Sequence, residues 1–311
     1  MNGPQKRSLR HLGRHLCTAL LGVLLAAALV VCGGGASLAG AGASAPATKA
    51  ADARALPAGA DWAHALQVVS WLQADPPSKP LVLMLGSSIV RESVTGDAAW
   101  AAQIQRNGGS SVVAYDLGST NQTFAQDLRL IKFLPQAPAI VYIGVDIVRF
   151  VADPSNPSVT LPAPSKPPSS WNPHKYSSAH VLPLAAKRAK VSDWMTRRYP
   201  VFLKNYSYNL GQLKALIVAC RDQGLHPVLL DTPRNTAVLG SAWNKPVKKY
   251  QASCAALARQ YGIPFVQLVN KAQFANTDFY DLYHAVQPGR AKWQRLLSAQ
   301  TVKLLSQYQM H

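Results

Sequence analysis

Acidic side chains are scarce in this chain: its 311 residues hold 14 Asp and Glu against 32 Lys and Arg, a formal net charge of +18. Cysteine is scarce as well, at four residues, and no pair has the CxxC spacing of a redox site or the ligand spacing of a zinc site. There is no glycine-rich phosphate loop and no cluster of metal-ligating side chains, so neither a cofactor nor a metal is expected. Helix-turn-helix, zinc-finger and RNA-binding signatures are missing too, which argues against nucleic acid as a partner despite the charge. The positive field points instead to an anionic neighbour: a membrane surface, a phosphate-bearing cell-envelope polymer or an acidic polysaccharide. A plain solubility role is the alternative.

Residues 1–45 differ from the rest. Lys6, Arg7, Arg10 and Arg14 precede an uncharged run from Leu16 to Cys32, and a small-residue tract follows from Gly33 to Ala45. This is the layout of a secretory signal peptide, with Ala-x-Ala triplets between Ala39 and Ala45 as cleavage points. An uncleaved membrane anchor is the alternative: the apolar run is slightly short of the roughly 20 residues that span a bilayer, but the Ala/Gly tract extends it. A lipoprotein site at Cys32 ranks third, because Val31 stands where such sites carry a small residue. Each reading puts the remainder outside the cytoplasm, secreted or membrane-anchored. Taking the four basic residues of this segment from 32 leaves 28 Lys and Arg against 14 Asp and Glu, a net of about +14. In an oxidising compartment Cys220 and Cys254 are candidates for a disulfide, with two buried thiols as the alternative.

Residues 46–60 read as a linker, and residues 61–311 as one domain. Short apolar runs alternate with segments of helical spacing. Strands are expected at Leu81–Leu85, Ser111–Leu117, Ala139–Ile143, Pro227–Leu230 and Pro264–Leu268. Helices are expected at Asp61–Gln73, Ala98–Gln105, Gln122–Phe133, Tyr208–Arg221, Val247–Tyr261 and Gly289–Gln307. Apolar strands separated by helices predict a parallel sheet covered on both faces, a three-layer α/β/α sandwich of about five strands and flavodoxin-like type. One segment breaks the repeat: residues 150–207, proline-rich in the first half and basic in the second. A loop this long is either functional or disordered. As a substrate wall it offers Trp171 and Tyr176 to stack on sugar rings and Lys166 and Lys175 to pair with anions; the alternative is a solvated linker.

Two short stretches carry the chemistry. Leu81–Arg91 runs from a buried strand through Gly86 into Ser87-Ser88, so Ser88 stands at the carboxyl end of a strand, where open α/β sheets place their ligands. Asp281-Leu282-Tyr283-His284 sets a carboxylate three residues before an imidazole, after the last strand. A serine hydroxyl needs a positioned base, histidine titrates in the right range, and a carboxylate can orient that histidine. Taken singly, each stretch reads first as a polar turn or a surface cap.

Together these blocks resemble the SGNH (GDSL-like) hydrolase and acyltransferase superfamily over roughly residues 80–305. Gly86-Ser87-Ser88 is similar to its Gly-Asp-Ser block, Gly118 to its second-block glycine, Gly144-Val145-Asp146 to Gly-x-Asn, and Asp281–His284 to Asp-x-x-His. The resemblance implies Ser88 as nucleophile, His284 as base, Asp281 as its orienting partner, and an oxyanion hole from the N–H groups of Ser88 and Gly118 with position 146. Arg91 and Asn121 join Trp171 and Tyr176 as candidate substrate-binding residues. Two departures stand out. Ser87 replaces the family's Asp, as in the branch that moves or removes acyl groups on cell-envelope polymers. Asp146 replaces the oxyanion-hole Asn, and an ionised carboxylate has no N–H to donate. Either Asp146 stays protonated and donates, or Asn121 reaches in, or activity is weak. The expected function is an exported serine esterase or O-acyltransferase acting on a small acyl ester of a glycan. The alternative is a weak or inactive scaffold that binds anionic wall polymers.

Overall fold

The computed structural model describes residues 59–169 and 171–310. The segment read as a signal or anchor, and nearly all of the linker, lie outside the described residues. Among those described, no helix is long and apolar enough to cross a membrane.

Five parallel strands form a single sheet in the order β2-β1-β3-β4-β5, the flavodoxin-like order. They are β1 (Leu81–Leu85), β2 (Val113–Asp116), β3 (Ala139–Val145), β4 (His226–Asp231) and β5 (Phe265–Gln267). The central strands are buried on both faces, which explains their uninterrupted apolar runs. Side chains alternate along β1: Leu81, Leu83 and Leu85 enter one core, Val82 and Met84 the other. The first core is closed by α1 (Ala60–Ala74), α4 (Phe124–Ile131), α6 (Tyr199–Asp222) and α8 (Asn244–Tyr261), with Leu239 of the short α7 (Thr236–Leu239) added to it. Helix α1 contributes Ala65, Val68, Val69 and Leu72, the spacing of one helical face. The second core is closed by α3 (Asp97–Arg106), through Trp100 and Ile104, and α9 (Gln287–Gln307), through Trp293, Leu297 and Leu304.

Strand register sets the height of the site. Met84 is level with Asp116 on one side and Tyr142 on the other, so β1 and β2 end within one residue of each other while β3 runs two residues further, to Val145. Between β1 and α3 the chain makes a single turn, α2 (Ser88–Arg91). The insertion is more ordered than its composition suggests. Its second half is helical: α5 (Leu184–Asp193) passes through one π turn, Trp194–Arg198, directly into α6. The helix expected from Tyr208 therefore begins nine residues earlier, at Tyr199, with Pro200 just after the π turn.

The expected disulfide is absent. Cys220 on α6 and Cys254 on α8 are both free and fully buried in the first core. They act there as small apolar side chains, and burial pushes both thiols well above their ordinary range.

Candidate active site

Three glycines make room for α2. A Cβ placed on Gly86 would lie 2.3 Å from Val90 Cγ2, one on Gly144 2.4 Å from the same atom, and one on Gly118 2.6 Å from the backbone N of Arg91. The glycines that end β1 and β2 and the one within β3 therefore surround Val90, and α2 sits in the crevice they leave. Ser87 caps it, its hydroxyl accepting the Ile89 N–H at 3.3 Å. Ser88 is the first helical residue, so its own N–H has no intrahelical partner.

Ser88 Oγ lies 2.9 Å from His284 Nε2. The other ring nitrogen, Nδ1, is 3.0 and 3.1 Å from the two oxygens of Asp281. Asp281 Oδ1 also accepts the N–H groups of Tyr283 at 3.1 Å and His284 at 3.0 Å, which ties the D-x-x-H turn to its own acid. Burial works to raise the Asp281 pKa, but the hydrogen bond and charge of His284 and these two amides outweigh it and hold the carboxyl below its usual range. The ionised carboxylate fixes Nδ1–H and leaves Nε2 as an acceptor facing the Ser88 hydroxyl.

The expected oxyanion donors are arranged differently. Gly118 N–H donates to Asp116 Oδ1 at 2.8 Å, which turns this donor toward a buried carboxyl and away from Ser88. Asp146 Oδ1 accepts the N–H groups of Val148 (2.8 Å) and Arg149 (3.0 Å), while Oδ2 accepts the Ser87 hydroxyl at 3.3 Å. Asp146 thus closes the turn after β3. Burial raises its pKa, against the charge of Arg149 and the two amides. Arg149 is itself buried, paired with Asp127 and donating to Gly144 O at 2.7 Å. Asn121 and Ser87 both line a cleft of about 430 Å³. Asn121 adopts a left-handed backbone, φ 58°, which Asn tolerates better than most residues. Trp194, Arg198, Tyr283 and Asp153 line the same cleft.

The remaining sequence candidates take other roles. Arg91 is 2% exposed and unavailable to a ligand: it pairs with Asp61 and with Glu92 (3.1 Å), and donates to Thr120 Oγ1 at 2.7 Å. Trp171 stacks on His64 of α1, ring centroids 4.4 Å apart, and lies away from Ser88 in a separate cleft that it shares with Lys166 and Asp97. Tyr176 stacks on the His284 ring at 4.4 Å. Lys175 enters through its backbone, its N–H reaching Glu92 Oε1 at 2.8 Å. Sequence reasoning passed over Asp61, Glu92, Lys187 and Arg290, all buried and charged. Their residue types normally mark a solvated face, and no spacing signal separates them from surface charges. Among the described residues no group of side chains is placed to hold a metal ion.

No family model and no curated protein matches the chain. It is similar in structure to a GDSL-like lipase from Bacteroides thetaiotaomicron (14% identity, TM-score 0.43, covering 78% of this chain and 98% of that one). It is also similar to Axe2, an acetylxylan esterase from Geobacillus stearothermophilus (13% identity, TM-score 0.44, 71% and 92%). A third similar structure is LAE5, an alpha/beta hydrolase enzyme from the metagenome of Lake Arreo, Spain (12% identity, TM-score 0.46, 72% and 96%).

Proposed function

We propose that this chain is a serine esterase or O-acyltransferase of SGNH type, acting outside the cytoplasm on a small acyl ester, acetyl first among them, of a cell-envelope or extracellular glycan. The observation that carries the reading is the hydrogen-bonded series Ser88 Oγ, His284 Nε2, His284 Nδ1, Asp281. In the reaction Ser88 Oγ attacks the ester carbonyl and its proton passes to His284 Nε2. Asp281 stabilises the imidazolium without taking the proton. Collapse of the tetrahedral intermediate breaks the bond to the sugar oxygen, which leaves with the proton from His284. Water or a second sugar hydroxyl then attacks the acyl-serine, with His284 again as base.

The N–H of Ser88 and the amide of Asn121 are the oxyanion donors in this reading, Asn121 standing in for Gly118, and the Asp146 carboxyl adds a third donor only while it is protonated. The cleft beside Ser87 supports a glycan alcohol over a lipid one. Its volume suits a small ligand, and its wall mixes aromatic faces, Trp194 and Tyr283, with the polar groups of Asn121, Gln122 and Arg198. The basic charge and the N-terminal segment support export to an anionic envelope.

A fluorophosphonate probe tests the nucleophile. Wild type is expected to label once and Ser88→Ala not at all, and a labelled Ser88→Ala chain would remove Ser88 from the mechanism. A second reading, a non-catalytic glycan-binding scaffold, draws on one observation, the Gly118 N–H turned to Asp116. An unlabelled wild type that still binds anionic glycan as tightly as Ser88→Ala would establish it.

A further inference from the structure

The insertion is fastened to the loop that carries Asp281 and His284. His174 Nε2–H donates to Val94 O at 2.7 Å, and Lys175 N–H to Glu92 Oε1 at 2.8 Å. Arg290 Nη2 donates to Tyr176 O at 2.7 Å and also pairs with Glu92 Oε2. Glu92 is fully buried and Arg290 is 3% exposed, so this pair is well shielded from solvent. Further along, Leu182 N–H donates to Tyr280 O at 3.0 Å. Lys187 donates to the carbonyls of Asn276 (2.9 Å) and Phe279 (2.7 Å). Tyr176 is thereby fixed at its backbone, and its ring stacks on both Tyr280 and His284, each with centroids 4.4 Å apart.

Asp281 holds one edge of the imidazole, at Nδ1. With the Ser88 hydroxyl at Nε2, the ring is held only by bonds at its two nitrogens, and its χ2 torsion is broad for histidine. A flat aromatic face against the imidazole opposes rotation about that torsion. Burial, with the Asp281 charge nearby, pushes the Tyr176 phenol up to about 12, so the ring remains neutral at working pH. The two ring planes lie 28° apart, so the face of the Tyr176 ring is what meets His284.

We infer that Tyr176 is a positioning residue for His284: its stacked ring keeps the imidazole in the rotamer that aims Nε2 at Ser88. The inference rests on the serine-hydrolase reading. It assigns the proline-rich insertion a defined task, bracing the base, where the sequence offered a substrate wall or a solvated linker. Misplacing a catalytic group by about 1 Å can cost about 100-fold in rate.

The test compares wild type, Tyr176→Phe and Tyr176→Ala as full chains. p-Nitrophenyl acetate is the substrate, and the His284 ring-proton resonances are followed by NMR. Tyr176→Ala is expected to lose about 10- to 100-fold in kcat with KM within about twofold. Tyr176→Phe is expected to recover most of the rate. The His284 ring signals, shifted upfield by the stacked ring, should move downfield in the Ala variant and stay in place in the Phe variant. A Tyr176→Ala chain with wild-type kcat, or with unmoved His284 resonances, overturns the inference, as does a Phe variant as slow as Ala. A wild type that neither turns over the ester nor labels at Ser88 overturns the hydrolase reading instead, while the resonances still decide whether Tyr176 holds the ring.

Discussion

The Ser87 hydroxyl donates to Asp146 Oδ2 at 3.3 Å, while Oδ1 of the same carboxyl takes two backbone amides. An Asn at this position would keep the Oδ1 contacts and place N–H groups where Oδ2 now lies. Because burial raises the Asp146 pKa, the acid is protonated above the usual carboxylate range and ionises as pH climbs further. The neutral acid can donate, whereas the carboxylate repels a developing oxyanion. The ratio of Asp146→Asn to wild-type kcat/KM on p-nitrophenyl acetate should therefore rise with pH, by about 10-fold or more. A ratio flat across pH 5–9 would show that Asp146 does not face the oxyanion.

In the proposed reaction Asn121 supplies the donor that Gly118, bonded to Asp116, does not. Its φ of 58° suits glycine equally well, so Asn121→Gly removes the amide without straining the turn. Loss of one oxyanion donor typically costs about 2.7–4 kcal/mol of transition-state stabilisation. Asn121 comes from an exposed turn, so the lower end, about 100-fold in kcat, is expected. Steady-state kinetics on p-nitrophenyl acetate decide it, and a change confined to KM would assign Asn121 to substrate binding.

The three glycines around Val90 are steric requirements. Gly118→Ala sets a methyl 2.6 Å from the Arg91 backbone and 2.9 Å from Val90 Cγ1, and backbone cannot swing aside as a flexible side chain can. Overpacking of this kind costs about 1–3 kcal/mol. The displaced element would be α2, so Gly118→Ala should lower the urea midpoint and slow labelling at Ser88 together. Val90→Ala in the same chain opens space and should restore part of the labelling rate. No restoration would place the fault elsewhere.

This packing also explains what was legible in the sequence and what was not. Strand-end glycines followed by small polar residues, and an acid three residues before a histidine, are local patterns, so the sheet could be read directly and Ser88 and Asp281–His284 could be picked out as candidates once taken together. Gly118 was legible as the glycine after the second strand and, through the resemblance, as an oxyanion donor, but the direction of its N–H depends on Asp116, two residues back, turning its side chain inward. Arg91, next to the nucleophile in sequence, looked available for ligand. Its partner Asp61 comes from the start of α1, thirty residues away, where an acidic residue reads as an ordinary helix start. Tyr176 was read as a sugar-stacking residue because composition reveals aromatic rings but not the ring they meet. Buried charge pairs are long-range in sequence and leave no periodic trace.

The free thiols give a direct check on the core. Cys220 and Cys254 are buried, and burial disfavours their reactive thiolate forms. Residues 59–311 of the folded chain should resist a thiol reagent such as DTNB and react at both cysteines in denaturant. Reductant should leave the melting temperature unchanged. A drop in melting temperature on reduction would reinstate a Cys220–Cys254 disulfide.

Asp116 predicts how stability follows pH. It is 4% exposed, Oδ2 has no hydrogen-bond partner, and its neighbours include the acids Asp97 and Glu92 as well as Arg91. Burial, then the charge of Asp97, raises its pKa well above the ordinary value, against the Gly118 amide and Arg91. A carboxyl whose folded pKa is raised binds its proton more tightly in the native state. Its contribution is fully present below the unfolded pKa of about 3.9 and is lost as pH rises through the folded value. Asp116→Asn keeps an acceptor for the Gly118 N–H and cannot ionise. Urea unfolding from pH 4 upward should show wild-type stability falling relative to Asp116→Asn across that window, with the gap constant beyond it. Parallel curves for the two chains would mean that Asp116 titrates as an ordinary carboxylate and that the Gly118 N–H is held by its charge.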